Sequence, residues 1–237
     1  EPVEQLAEAN NLTVKQQTLL SIATKNIRIL KRLINQILDF QKYEHGKLDL
    51  HLREIALAPL IREWAEAFQS LARQRSMKLS VELAMDDSYT LALDPEKIER
   101  IFFNLLSNAF KYTPQNGKIF LRCSGDDQTL TLTVEDNGQG IAKADLDHIF
   151  DRFYQVDRVH PQGSGIGLSL VKAFVELHDG TIRAESEEGA YSRFIVNLPV
   201  RHVQEKGTQN VKLPLLTSTE VERELSQIEQ KPTALRP

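Results

Sequence analysis

From Leu12 to about Glu44 neither glycine nor proline interrupts the chain, and Leu19, Ile22, Asn26, Ile29, Leu33, Ile37 and Phe40 step by threes and fours. Residues at that spacing share one face of a helix. The pattern predicts a single helix roughly 45–50 Å long at about 1.5 Å per residue, too long to be held by propensity alone. A second apolar row, Ile27, Leu30, Ile34 and Leu38, widens the face to be buried, which suits a four-helix bundle better than a two-stranded coil. Glu1 to Ala9 reads as the end of a preceding antiparallel helix, with Asn10 and Asn11 in the turn. The rest of such a bundle must come from a second chain or from residues outside this sequence.

Gly46 breaks the long helix and marks a domain boundary. Leu48, Leu50 and Leu52 then alternate with polar residues, predicting a short edge strand. Pro59 opens a helix reaching about Ser76 on the spacing of Ile61, Trp64, Phe68 and Leu71, after which Leu79, Val81 and Leu83 alternate as a strand. Asp94 followed by Pro95 reads as the N-cap and first residue of a helix that ends near Thr113 and Pro114. Lys118 to Ser124 and Thr129 to Glu135 alternate, predicting an antiparallel hairpin that turns at Asp126 and Asp127. A glycine-punctuated loop and a short helix to Phe150 follow, and 151–164, without a clear period, predicts a mobile loop. Gly165 to His178 is helical in pattern, and strands are expected near 181–187 and 191–198. Beyond Arg201 no sustained stripe remains, which predicts a tail or linker with a weak helix at 219–229.

At 237 residues, 41% apolar and 26% charged, the chain has room for one or two domains and a real core. A formal net charge of -4 without a long basic run argues against nucleic acid as a partner. Cys123 is the sole cysteine, so neither an intrachain disulfide nor a thiolate metal cluster can form. No apolar run approaches the ~18 residues of a membrane span and the amino terminus lacks a signal-peptide pattern, so the chain as written is expected to be soluble. It starts at Glu1 and closes in a polar stretch, as expected of a fragment of something longer.

The candidate chemistry lies in four pieces. Asn104 to Pro114 reads NLLSNAFKYTP, in which Asn104, Asn108 and Lys111 fall on neighbouring turns of one helical face. Alone, these residues fit a core helix whose amides cap loops or face water. Asp136 to Ile141 reads DNGQGI, where a carboxylate leaves a strand and two glycines allow backbone to approach a flat ligand. A buried aspartate there can accept the exocyclic amine of adenine, although Asp, Asn and Gly are also ordinary turn residues. Gly163 to Leu168 reads GSGIGL and opens a helix, whose first N–H groups form a phosphate cradle. It follows no strand and lacks a lysine after the glycine, which removes the dinucleotide-fold and P-loop readings. Ile149 to Tyr154 reads IFDRFY, with Phe150 and Phe153 equally suited to core packing.

In this order and at these intervals, the four pieces resemble the N box, first glycine box, F box and second glycine box of the catalytic ATP-binding domain of sensor histidine kinases. The resemblance covers about 48–200, and the long helix is similar to the second helix of that family's dimerisation and histidine-phosphotransfer domain. INQILDF at 34–40, followed by Gly46, Lys47 and Leu48, is similar to the hybrid, one-chain members. The resemblance implies an α+β fold: a two-layer α/β sandwich of the Bergerat type with a mixed sheet, preceded by a bundle helix. It divides the chain into a dimerisation and phosphotransfer region (1–46), a catalytic domain (47–200) and a linker or tail (201–237).

Carried over residue by residue, the resemblance implies that Asn108 ligates Mg2+ through its carbonyl oxygen and that Asn104 assists near the phosphates. Lys111 would stand by the phosphates and Tyr112 against the adenine. Asp136 would accept from the adenine amine, Gly138, Gly140 and Ile141 would line the base, and Gly163, Ser164, Gly165, Gly167 and Leu168 would close onto the phosphates. Mg2+ takes few protein ligands, so one amide oxygen suffices. Arg152 and Arg158 are candidates for the γ-phosphate, with solvated loop arginines the equal alternative. Gln155 stands where many relatives carry arginine, which departs from the family's lid pattern.

The family's acceptor histidine, followed by an acidic residue and an Arg-Thr-Pro-Leu-like run, has no counterpart here. The six histidines, 45, 51, 148, 160, 178 and 202, read as surface or capping residues. The chain is therefore expected to bind Mg·ATP without phosphorylating itself, the acceptor lying upstream of Glu1. The implied function is the kinase core of a two-component sensor, passing phosphoryl to a histidine outside this chain and then to a response-regulator receiver domain. The implied setting is a homodimer, in the cytoplasmic portion of a parent anchored in the inner membrane by missing parts. Two alternatives stand beside it: a non-catalytic signalling scaffold, and a water-activating ATPase of the gyrase and chaperone type. The latter needs a glutamate where Asn104 stands, and an amide is no general base.

Overall fold

The computed structural model describes residues 13–46, 48–156 and 164–202. They form two compact units that divide between Asp49 and Leu50. The first is the long helix, α1 (Val14–Glu44). Thr13 and Gln16 close a reciprocal capping box: the Thr13 hydroxyl accepts from the Gln16 N–H at 3.3 Å and the Gln16 side chain accepts from the Thr13 N–H at 2.9 Å. At the other end the chain leaves through Gly46 at φ +61°, a left-handed conformation that costs glycine little. Ile27, Leu30, Ile34 and Leu38 are 47–59% exposed. Of the other predicted row, Leu19 and Ile22 are 57% and 51% exposed, and the side chains of Asn26, Ile29, Leu33, Ile37 and Phe40 lie outside the described residues, as do 1–12 and 203–237.

The second unit runs β1 (Arg53–Ala56), α2 (Leu57–Gln74), β2 (Lys78–Ala84), β3 (Thr90–Leu93), α3 (Pro95–Tyr112), β4 (Lys118–Gly125), β5 (Thr129–Asp136), a short α4 (Lys143–Leu146), α5 (Gly167–Leu177), β6 (Thr181–Glu187) and β7 (Tyr191–Pro199). Five strands make one sheet in the order β2-β4-β5-β7-β6, and β1 pairs with β3 apart from it. β2 runs parallel to β4 and every other pairing is antiparallel, so the sheet is mixed. α2, α3 and α5 supply the second layer.

The alternation read in the sequence decides which side of the sheet is core. Ile119, Leu121 and Cys123 of β4, Leu130, Leu132 and Val134 of β5, and Phe194, Val196 and Leu198 of β7 are all buried, while their neighbours face away, as a period of two requires. Against them α2 and α3 pack an aromatic cluster: Trp64 and Phe102 have ring centroids 5.3 Å apart, Phe68 and Phe110 5.4 Å. Burial raises the Cys123 thiol to about 12, so it is an inert hydrophobe.

Several predicted boundaries move. Residues 48–52 are not a strand; β1 begins at Arg53, where the pairing partner β3 lies opposite. β3 itself was not predicted, because Leu91, Ala92 and Leu93 are buried in succession and show no alternation. α2 starts at Leu57, two residues before Pro59. His178 caps α5 as expected but is 3% exposed, a buried rather than a surface residue.

Candidate functional site

Asp136 is the last residue of β5 and continues the inward row Leu130, Leu132, Val134. Its phase, not its type, puts a carboxylate in the core, where it is 3% exposed. Burial drives the carboxyl up to about 6 from an ordinary 3.8, against the downward pull of the Gly138 N–H and the Thr113 hydroxyl. The Gly138 N–H donates to Asp136 Oδ1 at 2.9 Å. Thr113, the C-cap of α3, is also buried and donates to the Ala109 carbonyl at 2.6 Å.

The loop after β5 is held against the end of α3. A Cβ on Gly138 would stand 2.3 Å from the Tyr112 carbonyl oxygen and 2.6 Å from Asp136 Oδ1, so no side chain fits there. The Gln139 N–H donates to the same Tyr112 carbonyl at 3.3 Å. Asn137 pins the loop to β4, accepting from the Lys118 N–H at 2.6 Å. Gly140 combines φ +65° with backbone so close that a Cβ would lie 2.0 Å from the Glu187 carbonyl oxygen. The Ile141 N–H donates to the Ser186 hydroxyl at 2.8 Å. Asn137, Thr113 and Ser186 were missed as contributors: Thr113 stood in the sequence as a helix end, and Ser186 had no signal because it arrives from β6.

On α3, Asn104 donates through Nδ2 to its own helix, at the Arg100 carbonyl 2.7 Å away. Its Oδ1 is the atom that a Cβ on Gly167 would meet at 2.9 Å. Asn108 is half-buried, and no hydrogen bond of its side-chain amide is found among the described residues. Lys111 Nζ lies 4.4 Å from the Tyr112 ring centroid and donates to the Tyr112 hydroxyl at 2.7 Å. The structure thus brings Lys111 and Tyr112 together at one end of the helical face and Asn104 and Gly167 at the other.

α5 begins at Gly167 with no side-chain cap on its first turn, which leaves N–H groups for a ligand. Gly165, at φ +69°, abuts Phe153, and the Phe153 N–H donates to the Gly165 carbonyl at 2.9 Å. This contact ties the F box to the second glycine box. Phe153 takes φ +58° and is 67% exposed. Ser164 accepts from the Ile166 N–H at 3.3 Å. Leu168 is half-buried and Arg152 exposed, while Gly163 and Arg158 lie outside the described residues.

Residues 93–202 match the family described as histidine kinase-, DNA gyrase B-, and HSP90-like ATPases. Hybrid signal transduction histidine kinase D of Dictyostelium discoideum is 32% identical over 97% of this chain and 15% of its own length. Sensor histidine kinase TmoS of Ectopseudomonas mendocina is 38% identical over 76% of this chain and 19% of its own. The chain therefore spans under a fifth of the length of these two relatives. Among solved structures, full-length ShkA in complex with AMPPNP superposes with a TM-score of 0.73 at 25% identity, over 84% of this chain and 42% of that one. The catalytic domain of histidine kinase ThkA gives 0.57 at 25% identity, over 64% of this chain and 99% of that domain. A buried strand-end aspartate, a glycine with no room for a side chain, an asparagine-bearing helix and an uncapped glycine-led helix thus coincide with the matched span, and residues 93–202 belong to the histidine kinase-, DNA gyrase B-, and HSP90-like ATPases, similar to the catalytic ATP-binding domains of sensor histidine kinases.

Proposed function

We propose that this chain binds Mg·ATP for transfer of the γ-phosphoryl group to a histidine outside it, with onward relay to a response-regulator aspartate. The observation that carries this reading is Asp136, a carboxylate buried at the edge of the core with its charge poorly compensated. Such a group is costly unless a ligand donor meets it, and an adenine amine is a donor of the right kind.

The residues present fit the nucleotide and its metal. Among the described residues no three His, Cys, Asp or Glu side chains converge as a metal cluster, so a cation here relies on Asn108 and on phosphate oxygens. Mg2+, when bound, neutralises phosphate charge and aligns the group to be transferred. Asp136 holds the base through its carboxylate, and Gly138, Gly140 and Ile141 let backbone approach it. Tyr112 offers a ring to the base. Lys111 serves the phosphates after leaving the Tyr112 hydroxyl, and the first turn of α5 with Ser164, Gly165 and Leu168 offers N–H donors, Gly163 being assigned to the same cradle by the resemblance alone. Arg152, an exposed arginine, takes the role of screening the γ-phosphate in this reading. Asn104, an amide, keeps water unactivated, so transfer outruns hydrolysis.

In this reading 1–46 are the dimerisation and phosphotransfer region, 47–200 the catalytic domain and 201–237 a linker. The parent is a homodimer, anchored in the inner membrane by other segments and docking a receiver domain. Among the described residues, no helix is long and apolar enough to cross a membrane.

Calorimetry with Mg·ATP on this chain and on Asp136→Ala, followed by transfer to a supplied acceptor-helix fragment, tests the proposal. The parent is expected to bind and the variant to lose about tenfold or more, the scale of a lost charged hydrogen bond. Absence of binding by the parent overturns the site, and binding without transfer favours a signalling scaffold. Stable label on any of the chain's own histidines would sink the expectation that the acceptor lies elsewhere.

A further inference from the structure

α3 and α5 lie antiparallel, and three contacts mark their register. At one end the Asp94 N–H donates to His178 Nε2 at 3.1 Å. Midway Arg100 lies over the Phe174 ring at 5.9 Å. At the other end Asn104 Oδ1 stands 2.9 Å from where a Cβ on Gly167 would lie. From Asp94 to Asn104 is about 15 Å of rigid helix at 1.5 Å per residue.

The first contact is a built junction. His178 Nδ1 faces the Phe174 carbonyl at 2.7 Å, so Nδ1 carries the proton and Nε2 is left as the acceptor. Asp94 is 2% exposed, and its carboxylate accepts from the Lys97 N–H at 3.2 Å, from Lys97 Nζ at 2.6 Å and from the His51 N–H at 2.9 Å. It joins the segment entering the catalytic unit to the N-cap of α3 and the C-cap of α5. Each buried polar atom named here has a partner, an arrangement that resists sliding of one helix along the other.

We propose that His178 is a positioning residue for the nucleotide site: by joining the C-cap of α5 to the N-cap of α3 it sets the register of the two helices, and hence the placement of Gly167 and the α5 N-terminus against Asn104. The proposal rests on the nucleotide reading only for its consequence in binding. If α5 shears along α3 by a fraction of a turn, the phosphate-side N–H groups leave the asparagine face.

The imidazole has two jobs that two substitutions separate. His178→Gln keeps an acceptor for the Asp94 N–H, whereas His178→Asn keeps a donor for the Phe174 carbonyl and lacks that acceptor. Hydrogen exchange on the nucleotide-free full chain is expected to match the parent in His178→Gln. In His178→Asn it should be faster at Ile166 to Leu170, at the far end from the substitution. Mg·ATP affinity should fall about tenfold in His178→Asn and stay near the parent in His178→Gln. Equal exchange at Ile166 to Leu170 in both variants overturns the proposal, as does faster exchange confined to residues beside positions 94 and 178. A parent that fails to bind Mg·ATP defeats the nucleotide reading, while the exchange comparison still decides the register.

Discussion

At neutral pH the Asp136 carboxylate is a buried charge with one backbone donor recorded close by. Its rise from 3.8 to about 6 corresponds to a folding penalty of about 3 kcal/mol. Because the folded value is the raised one, the penalty is complete above pH ~6 and disappears as pH falls towards the ordinary carboxylate range. Asp136→Asn is therefore expected to be more stable than the parent at pH 8, by up to about 3 kcal/mol, with the two converging near pH 4 in urea unfolding. An Asn variant no more stable at pH 8 would contradict this. Binding runs the opposite way: protonation relieves the folding penalty but removes the charged acceptor, so affinity of the parent for Mg·ATP should weaken as pH drops through 6, beyond the loss seen in Asp136→Asn. Gly138→Ala puts a methyl 2.3 Å from the Tyr112 carbonyl, so nucleotide binding should be lost with about 1–3 kcal/mol of stability. The burial of Asp136 was legible in the sequence, since the row Leu130, Leu132, Val134 continues to it. The closeness of Gly138 to Tyr112 was not, because it depends on where α3 ends in space.

The element that organises the site is α3, and its amino end is as important as its asparagines. Burial alone would raise the Asp94 carboxyl, but the bonds from Lys97 and His51 outweigh it and hold the group below the ordinary range. The stabilisation is present above pH ~4 and lost as pH falls through the depressed folded value. Asp94→Ala removes an N-cap and strands Lys97, 9% exposed, without its partner. The expected cost is about 3–5 kcal/mol, against about 1 kcal/mol for an ordinary cap. Chemical denaturation distinguishes the two, and a loss near 1 kcal/mol would mean that Lys97 finds water. Asp94 and Pro95 announced this cap in the sequence. The same reading failed at β3, where Leu91, Ala92 and Leu93 are all buried and the two-residue period that betrays other strands is absent.

In the whole molecule, the helical unit presents an apolar row that its own helix cannot cover. Ile27, Leu30, Ile34 and Leu38 each leave about half of their surface in water, an arrangement that favours association of helices. The chain is expected to sediment as a dimer, and Leu30→Glu with Ile34→Glu to shift it to monomer while leaving Mg·ATP affinity unchanged. A parent that sediments as a monomer at all accessible concentrations would remove the bundle from the proposed function. The division between Asp49 and Leu50 makes the test clean, because the substitutions lie in one unit and the nucleotide residues in the other.

The sequence by itself determined the elements whose signals are local. Periods of 3.6 and 2 mark α1, α3, β4 and β5, glycine and proline punctuate them, and strand phase delivers Asp136 to the core. Only the tertiary structure decided what meets what. Asp94 and His178 are 84 residues apart in the chain, and Ile141 and Ser186 are 45 apart. The approach of Gly140 to Glu187 likewise joins a loop to a strand end. No local period encodes such pairs, because they follow from the order β2-β4-β5-β7-β6 and from how two helices settle on that sheet. The asparagine face of α3 could be read residue by residue, but its alignment with Gly167 exists only once α5 is packed beside it.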